Sequence, residues 1–276
     1  MPSTLRPTLL LALLGVGLPA SAAVQDIVVE STSSGGTTET AKPYLELFAG
    51  YAQKALSGWK PITVAFFQEK KAADQALQQK APGFAMLDLD LFFEVRKRDE
   101  LVVLAAVEGP LHSRGHLHVV VKDPAVKTLD DLKGKPLVSN HLGSPRLLGK
   151  VVFDGKIDPA TFFQLQPTAS PLKGLKAVDR GEAAATIVDD QQLANMKSLP
   201  FAASLRTIFT SPALPPTPFV ALAKNAKPEE RLAMQKMLLG MCADKKGAEV
   251  CKALQITKFA KPDPQVFNEA IRRYDR

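Results

Sequence analysis

The architecture is read most directly from His116-Leu117-His118-Val119-Val120-Val121-Lys122-Asp123, with Leu129-Asp130-Asp131-Leu132-Lys133-Gly134-Lys135 and Pro136-Leu137-Val138-Ser139 behind it. The Val-rich run predicts a buried strand over 116–122. The next segment predicts a short helical turn over 129–132, closed by Gly134, and a strand over 136–139. Working toward the C-terminus, a helix is predicted over 145–153, a strand over 163–166 and a helix over 171–181. A strand over 183–188, a helix over 191–197 and a strand over 205–209 follow. Strands alternating with helices in this way imply a parallel or mixed sheet covered by helices.

The same rhythm runs ahead of this block. A β-rich run over 24–30 leads into a polar, Gly-containing stretch. Apolar residues at helical spacing, among them Leu45, Phe48 and Ala52, predict a helix over 43–56. Strands over 62–67, 84–89 and 101–107 alternate with helices over 72–80 and 91–97. Beyond the second block, the Pro-rich Ser211-Pro212-Ala213-Leu214-Pro215-Pro216-Thr217-Pro218 precedes a strand over 219–223 and a helical tail over 228–241, 246–254 and 264–273. The chain therefore reads as two α/β units joined by two crossings. Its 276 residues suit about two domains.

Composition narrows the function. Lys and Arg total 35 against 28 Asp and Glu, a net charge of +7 with no long run of like charge. Nucleic-acid binders concentrate basic residues in a stripe with interleaved aromatics; none is seen, so no nucleic-acid partner is expected. At the N-terminus, Arg6, the apolar run Leu9-Leu10-Leu11-Ala12-Leu13-Leu14 and the small residues Ala20-Ser21-Ala22-Ala23 read as a cleavable secretory signal over 1–23. The apolar run is shorter than the roughly 20 residues of a membrane span. An exported, periplasmic protein is expected. The two cysteines, Cys242 and Cys251, are then read as a structural disulfide.

The 116–123 and 129–135 segments resemble the second-lobe entry of phosphate/phosphite/phosphonate-type ABC transporter substrate-binding proteins, in which a V-x-K-D strand end is followed by an L-x-D-L-K-G-K element. The similarity continues through Gly143-Ser144, Asp158-Pro159, Ala177-Val178 with Gly181, Asp189, and Ser211-Pro212-Ala213-Leu214-Pro215. The resemblance implies a two-lobed type 2 periplasmic-binding-protein fold with two hinge crossings and a ligand cleft between the lobes. Lobe 1 would comprise 24–113 plus 208–276, and lobe 2 would comprise 114–207. It also implies a monomer that captures a small anionic, phosphonate- or phosphate-like solute and delivers it to an inner-membrane permease.

Candidate ligand residues fall at the predicted strand ends. In Ser139-Asn140-His141-Leu142-Gly143-Ser144-Pro145-Arg146, Gly143 permits a tight turn, Ser144 is placed to cap a helix and Pro145 suits its first position. The family usually offers several hydroxyls here. Ser144 keeps one, Pro145 removes a backbone donor, and Arg146 brings a guanidinium that could fork onto an anion. Asn140 and His141 flank this turn. In the first unit, Ser33 and Ser34 follow the first strand, while Asp88, with Asp90 beyond it, follows the third. Of the pair Asp189-Asp190, Asp190 reads as a helix cap and Asp189 as the ligand or hinge contact. The resemblance implies that a carboxylate here could meet an amino group on the solute.

His116 and His118 share one strand face, and His141 could approach it. They define the alternative of a metal or metal-chelate carrier. A sensor or adaptor pair of lobes without transport is the other alternative. Catalysis is not expected. The G-x-S-x-G elbow and the phosphate-cradling G-x-x-x-x-G-K motif are absent, and no cofactor is called for.

Overall fold

The computed structural model describes residues 25–31, 38–110, 112, 115–168 and 170–276. Segment 1–23, read from sequence as an export signal, and Ser33 and Ser34 lie outside the described residues. The first half of the chain contributes β1 (Gln25–Glu30), α1 (Thr38–Ala55), β2 (Ile62–Phe67), α2 (Lys70–Lys80), β3 (Phe84–Met86), α3 (Leu89–Val95) and β4 (Leu101–Glu108). Next come β5 (Leu117–Val121), a 3-10 turn at Asp130–Leu132, β6 (Pro136–Ser139), α4 (Pro145–Leu147), a π-helical turn at Leu148–Val152, α5 (Pro159–Phe162) and β7 (Gln164–Pro167). The rest is α6 (Pro171–Asp179), β8 (Ala185–Asp189), α7 (Asp190–Met196), β9 (Arg206–Thr210), β10 (Thr217–Leu222), α8 (Pro228–Met241), α9 (Lys245–Ala253), β11 (Lys258–Ala260) and α10 (Pro264–Asp275).

Two mixed sheets result, a six-stranded one in the order β11-β4-β10-β3-β1-β2 and a five-stranded one in the order β7-β6-β8-β5-β9. In the first, β1, β2 and β3 run parallel and β10 runs against both β3 and β4. In the second, β6 runs parallel to β7 and β8, and β5 runs against both β8 and β9. β10 and β5, the strands that enter from the other sheet, each run against their neighbours, and edge strand β11, which follows α9, also runs against β4. Parallel strands end at the edge facing the partner lobe, so a chain arriving across that edge must run the opposite way.

The two crossings, between β4 and β5 and between β9 and β10, lie side by side and bond to each other. Thr217 donates to the His112 carbonyl at 3.1 Å, and Leu117 donates to Ser211 Oγ at 2.9 Å. Gly115 adopts φ +54°, and a Cβ there would collide with Asp190 Oδ2. A glycine is favoured at this point of the hinge, since any side chain would be strained by the φ and would displace the Asp190 carboxylate.

Several predicted elements shift. The first helix begins at Thr38 rather than 43, with Pro43 inside it, where the missing N–H forfeits one helical bond near the start of a long amphipathic helix. The third strand stops at Met86, short of the predicted 89, because α3 already begins at Leu89. The helix predicted over 145–153 divides into one α-turn and one π-turn. Edge strand β11 has no counterpart in the sequence reading; three residues are too few to display a period. The disulfide joins Cys242, at the end of α8, to Cys251 in α9.

Helix α10 reaches across both lobes. Phe267 meets Phe92 edge-on at 6.1 Å, and Tyr274 stacks on Phe93 at 5.0 Å, which anchors the helix to α3. On its other side, Arg273 Nε approaches Asp154 Oδ1 at 3.5 Å, next to the π-turn of the second lobe.

Candidate functional site

The edge where the parallel strands of the second sheet end gathers most of the residues singled out from sequence. Ser139 closes β6, and its hydroxyl donates to the Ile187 carbonyl at 2.7 Å and accepts from the His141 N–H at 3.1 Å. This pins the start of the 140–144 turn to β8. Ser144 is 6% exposed and caps α4, its Oγ accepting from the Leu147 N–H at 3.3 Å. Asn140 carries a buried side-chain oxygen with no hydrogen-bond partner among the described residues. The backbone N–H groups of Gly143 and Ser144 likewise donate to none of the described residues. The Asn140 oxygen is left by the fold for something else, since buried polar groups ordinarily find partners, whereas Gly143 is exposed.

Arg146 lies over the ring of Tyr274, with its guanidinium carbon 4.6 Å from the centroid. This cation–π contact joins the second lobe to α10. The Tyr274 hydroxyl is buried without a hydrogen-bond partner among the described residues. Burial pushes its ionisation upward.

The two aspartates at the end of β8 exchange the roles read from sequence. Asp189, not Asp190, caps α7. Its Oδ1 accepts from the Gln192 N–H at 2.7 Å, while the Gln192 side chain accepts from the Asp189 N–H at 3.2 Å. The reciprocal bonds form a capping box, and the residue three positions on, a glutamine, is the signal that could have identified it. His141 Nε2 meets Gln192 Oε1 at 3.0 Å, with Asp189 Oδ2 at 3.8 Å.

Asp190 instead ties the hinge. It accepts from the His116 N–H at 3.0 Å, contacts His116 Nδ1 at 3.3 Å and meets His118 Nε2 at 2.6 Å. Burial raises its pKa, but the hydrogen bonds from His118 and His116 outweigh that and hold it below the ordinary carboxylate value. His116 and His118 do share one face, with ring centroids 6.3 Å apart. Both ring nitrogens of His118 are engaged, Nδ1 with Thr210 Oγ1 at 3.0 Å.

The opposing edge of the first sheet differs. Asp88 is 5% exposed, and its N–H donates to Glu30 Oε2 at 2.9 Å. Carboxylate oxygens of Glu30, Asp88 and Asp90 lie within 4.8 Å of one another. Such an oxygen set has the chemistry of a hard-cation ligand group. Lys70 already supplies a positive charge, 3.6 Å from Asp90 and 2.7 Å from Glu94. Burial lowers the Lys70 pKa, but the bonds to Glu94 and Asp90 prevail and raise it. The sequence reading did not single out Glu30 or Lys70. The available signal was a charged residue at the end, or just past the end, of an apolar strand.

Residues 52–267 match the family model described as ABC transporter, phosphonate, periplasmic substrate-binding protein. No curated protein matches the chain. Among solved structures, a Xanthomonas citri protein bound to ATP is 14% identical over 92% of this chain and 96% of its own, with a TM-score of 0.70. A Pseudomonas aeruginosa binding-protein component of an ABC phosphonate transporter is 18% identical over 92% and 86%, with a TM-score of 0.61. A Prochlorococcus marinus protein in complex with methylphosphonate is 14% identical over 92% and 99%, with a TM-score of 0.62. At such identities these structures speak for the two-lobed fold. No helix among the described residues is long and apolar enough to cross a membrane. The chain belongs to the family of periplasmic substrate-binding proteins of phosphonate ABC transporters.

Proposed function

We propose that the protein captures a small oxyanion, phosphonate- or phosphate-like, between its lobes and delivers it as a monomer to an inner-membrane permease. Export would proceed through the signal over 1–23, with lobe 2 running over 114–210, past the 207 expected from sequence because β9 (Arg206–Thr210) pairs with β5, and lobe 1 formed by 24–113 and the chain beyond 210. The observation that carries this reading is the 140–144 turn, where the Gly143 and Ser144 N–H groups and the buried side-chain oxygen of Asn140 meet none of the described residues. Oriented backbone N–H groups in a turn favour an anion without any net charge of their own. Turning the Asn140 amide over would add an N–H donor at the same place. Arg146, already leaning on Tyr274, adds positive charge beside the turn.

His116, His141 and Asp189 would line the same edge, and Ser33, Ser34 and Asp88 would approach from lobe 1. Closure about the paired crossings would then exclude water from the solute. Family membership supports solute binding rather than catalysis or sensing. The engagement of both His118 nitrogens speaks against the metal carrier.

Isothermal titration with a panel of methylphosphonate, phosphate, sulfate, an alkylsulfonate and ATP, and separately with zinc and copper, tests this reading. Binding of at least one oxyanion, weakened roughly 10- to 100-fold in Asn140→Leu, is the expected result, as for loss of a hydrogen bond to a charged group. Silence across the panel, with a signal only for zinc or copper, would overturn it.

A further inference from the structure

The first lobe holds a cavity that oxyanion capture does not use. Its volume is about 500 Å³, within the roughly 300–1,000 Å³ of sites that enclose organic ligands and far beyond the needs of a bare phosphate. Val29 of β1, Phe66 of β2 and Met86 of β3 line it from the sheet, Tyr44 from α1, and Leu254 and Ile256 from the segment after α9. Among the described residues no Asp, Glu, Lys or Arg lines it. A smaller pocket of about 20 Å³ shares Val29 and Met86 and continues toward the core aromatics Phe48, Phe219 and Phe259. Tyr44 remains 46% exposed, so an aromatic face is left to water at the rim.

An uncharged, largely hydrocarbon wall repels a phosphoryl group, whose desolvation it cannot compensate, and attracts hydrocarbon. Ser31, just past the end of β1, and His112, in the crossing that leads from β4 to the second lobe, also line the cavity. A group seated here therefore leaves its polar end at the cleft. We infer that this cavity is the seat of an alkyl or aromatic substituent on the solute, which makes the ligand an organic oxyanion with an apolar tail. The inference rests on the proposed oxyanion capture for the head group, whereas the chemistry of the cavity stands by itself.

The test is calorimetric titration of the purified protein with methyl-, propyl-, pentyl- and phenylphosphonate, alongside the carboxylates from acetate to hexanoate. Affinity is expected to rise about fourfold for each methylene that enters the cavity. Ala41→Trp, on the face of α1 that lines the cavity, and Leu254→Trp, on the opposite wall, fill it from two sides. Each is expected to abolish the dependence on chain length. Methylphosphonate binding with no gain along the series would overturn the cavity assignment and leave oxyanion capture standing. A chain-length gain among carboxylates with no phosphonate bound would do the reverse. A gain that survives in both filled variants places the tail elsewhere and overturns the assignment. No binding in either series overturns both.

Discussion

The two cleft edges are built from the same strand geometry and furnished with opposite chemistry. On the second sheet, the strand ends carry hydroxyl, amide and imidazole groups, several of which hold the turn and the hinge in place. On the first sheet, the described residues present a cavity lined without formal charge and a knot of three buried carboxylates answered by Lys70. The difference teaches that a two-lobed binder need not divide recognition evenly. In the proposed reading, one edge holds charge through backbone donors and the other accepts hydrocarbon. Between them, α10 leans on α3 through aromatic rings and touches the second lobe through Arg273 and Arg146.

The comparison is broken most severely at its aromatic support. Phe93 is 1% exposed and stacks on Tyr274, so Phe93→Ala should cost about 3–5 kcal/mol, read by urea denaturation. A loss under 1 kcal/mol would show that α10 is not anchored to the first lobe through this pair. Next in size is the Cys242–Cys251 bridge, which lies just before the cavity-lining segment Leu254 and Ile256. Replacing both cysteines by serine should cost about 2–3 kcal/mol in the loop-entropy account. It should also weaken long-tailed solutes more than short ones, whereas an equal effect on both would separate the bridge from the cavity.

The smallest effect belongs to the second edge. With the folded pKa of Asp190 depressed, its contribution is complete above the unfolded value of about 3.9 and is lost as pH falls through the lower folded value. Asp190→Asn should therefore flatten the acid limb of the stability curve by under about 1 kcal/mol, since this carboxyl is half exposed. An unchanged limb, followed by thermal melts from pH 6 to pH 2, would show that the histidine contacts leave the folded pKa of Asp190 unshifted.

Much of the fold was legible because apolar strands and helices alternate between Pro and Gly punctuation. β2, β6 and α8 occupy the ranges read from sequence. Strand β11 escaped because pairing with β4, rather than any pattern of its own, makes it a strand. The candidate site was legible as a set of positions at strand ends, but not as a set of bonds. Asp189 and Asp190 are adjacent and chemically identical. Which one caps α7 and which one reaches the hinge depends on Gln192 three positions on and on where Gly115 and His116 lie in space. Glu30 and Asp88, separated by 58 residues, meet because β1 and β3 are neighbours in the sheet.

Local pattern alone determined the alternation of strands and helices, the turn at Gly143-Ser144 with its cap, and the family to which the chain belongs, because each depends on residues close together in sequence. Only the tertiary structure decided which groups at the cleft remain for a solute. Hydrogen bonds, burial and cavities arise between strand ends that the chain brings together from far apart. The stacking of Arg146 on Tyr274, across 128 residues of chain, is legible only once α10 has crossed both lobes.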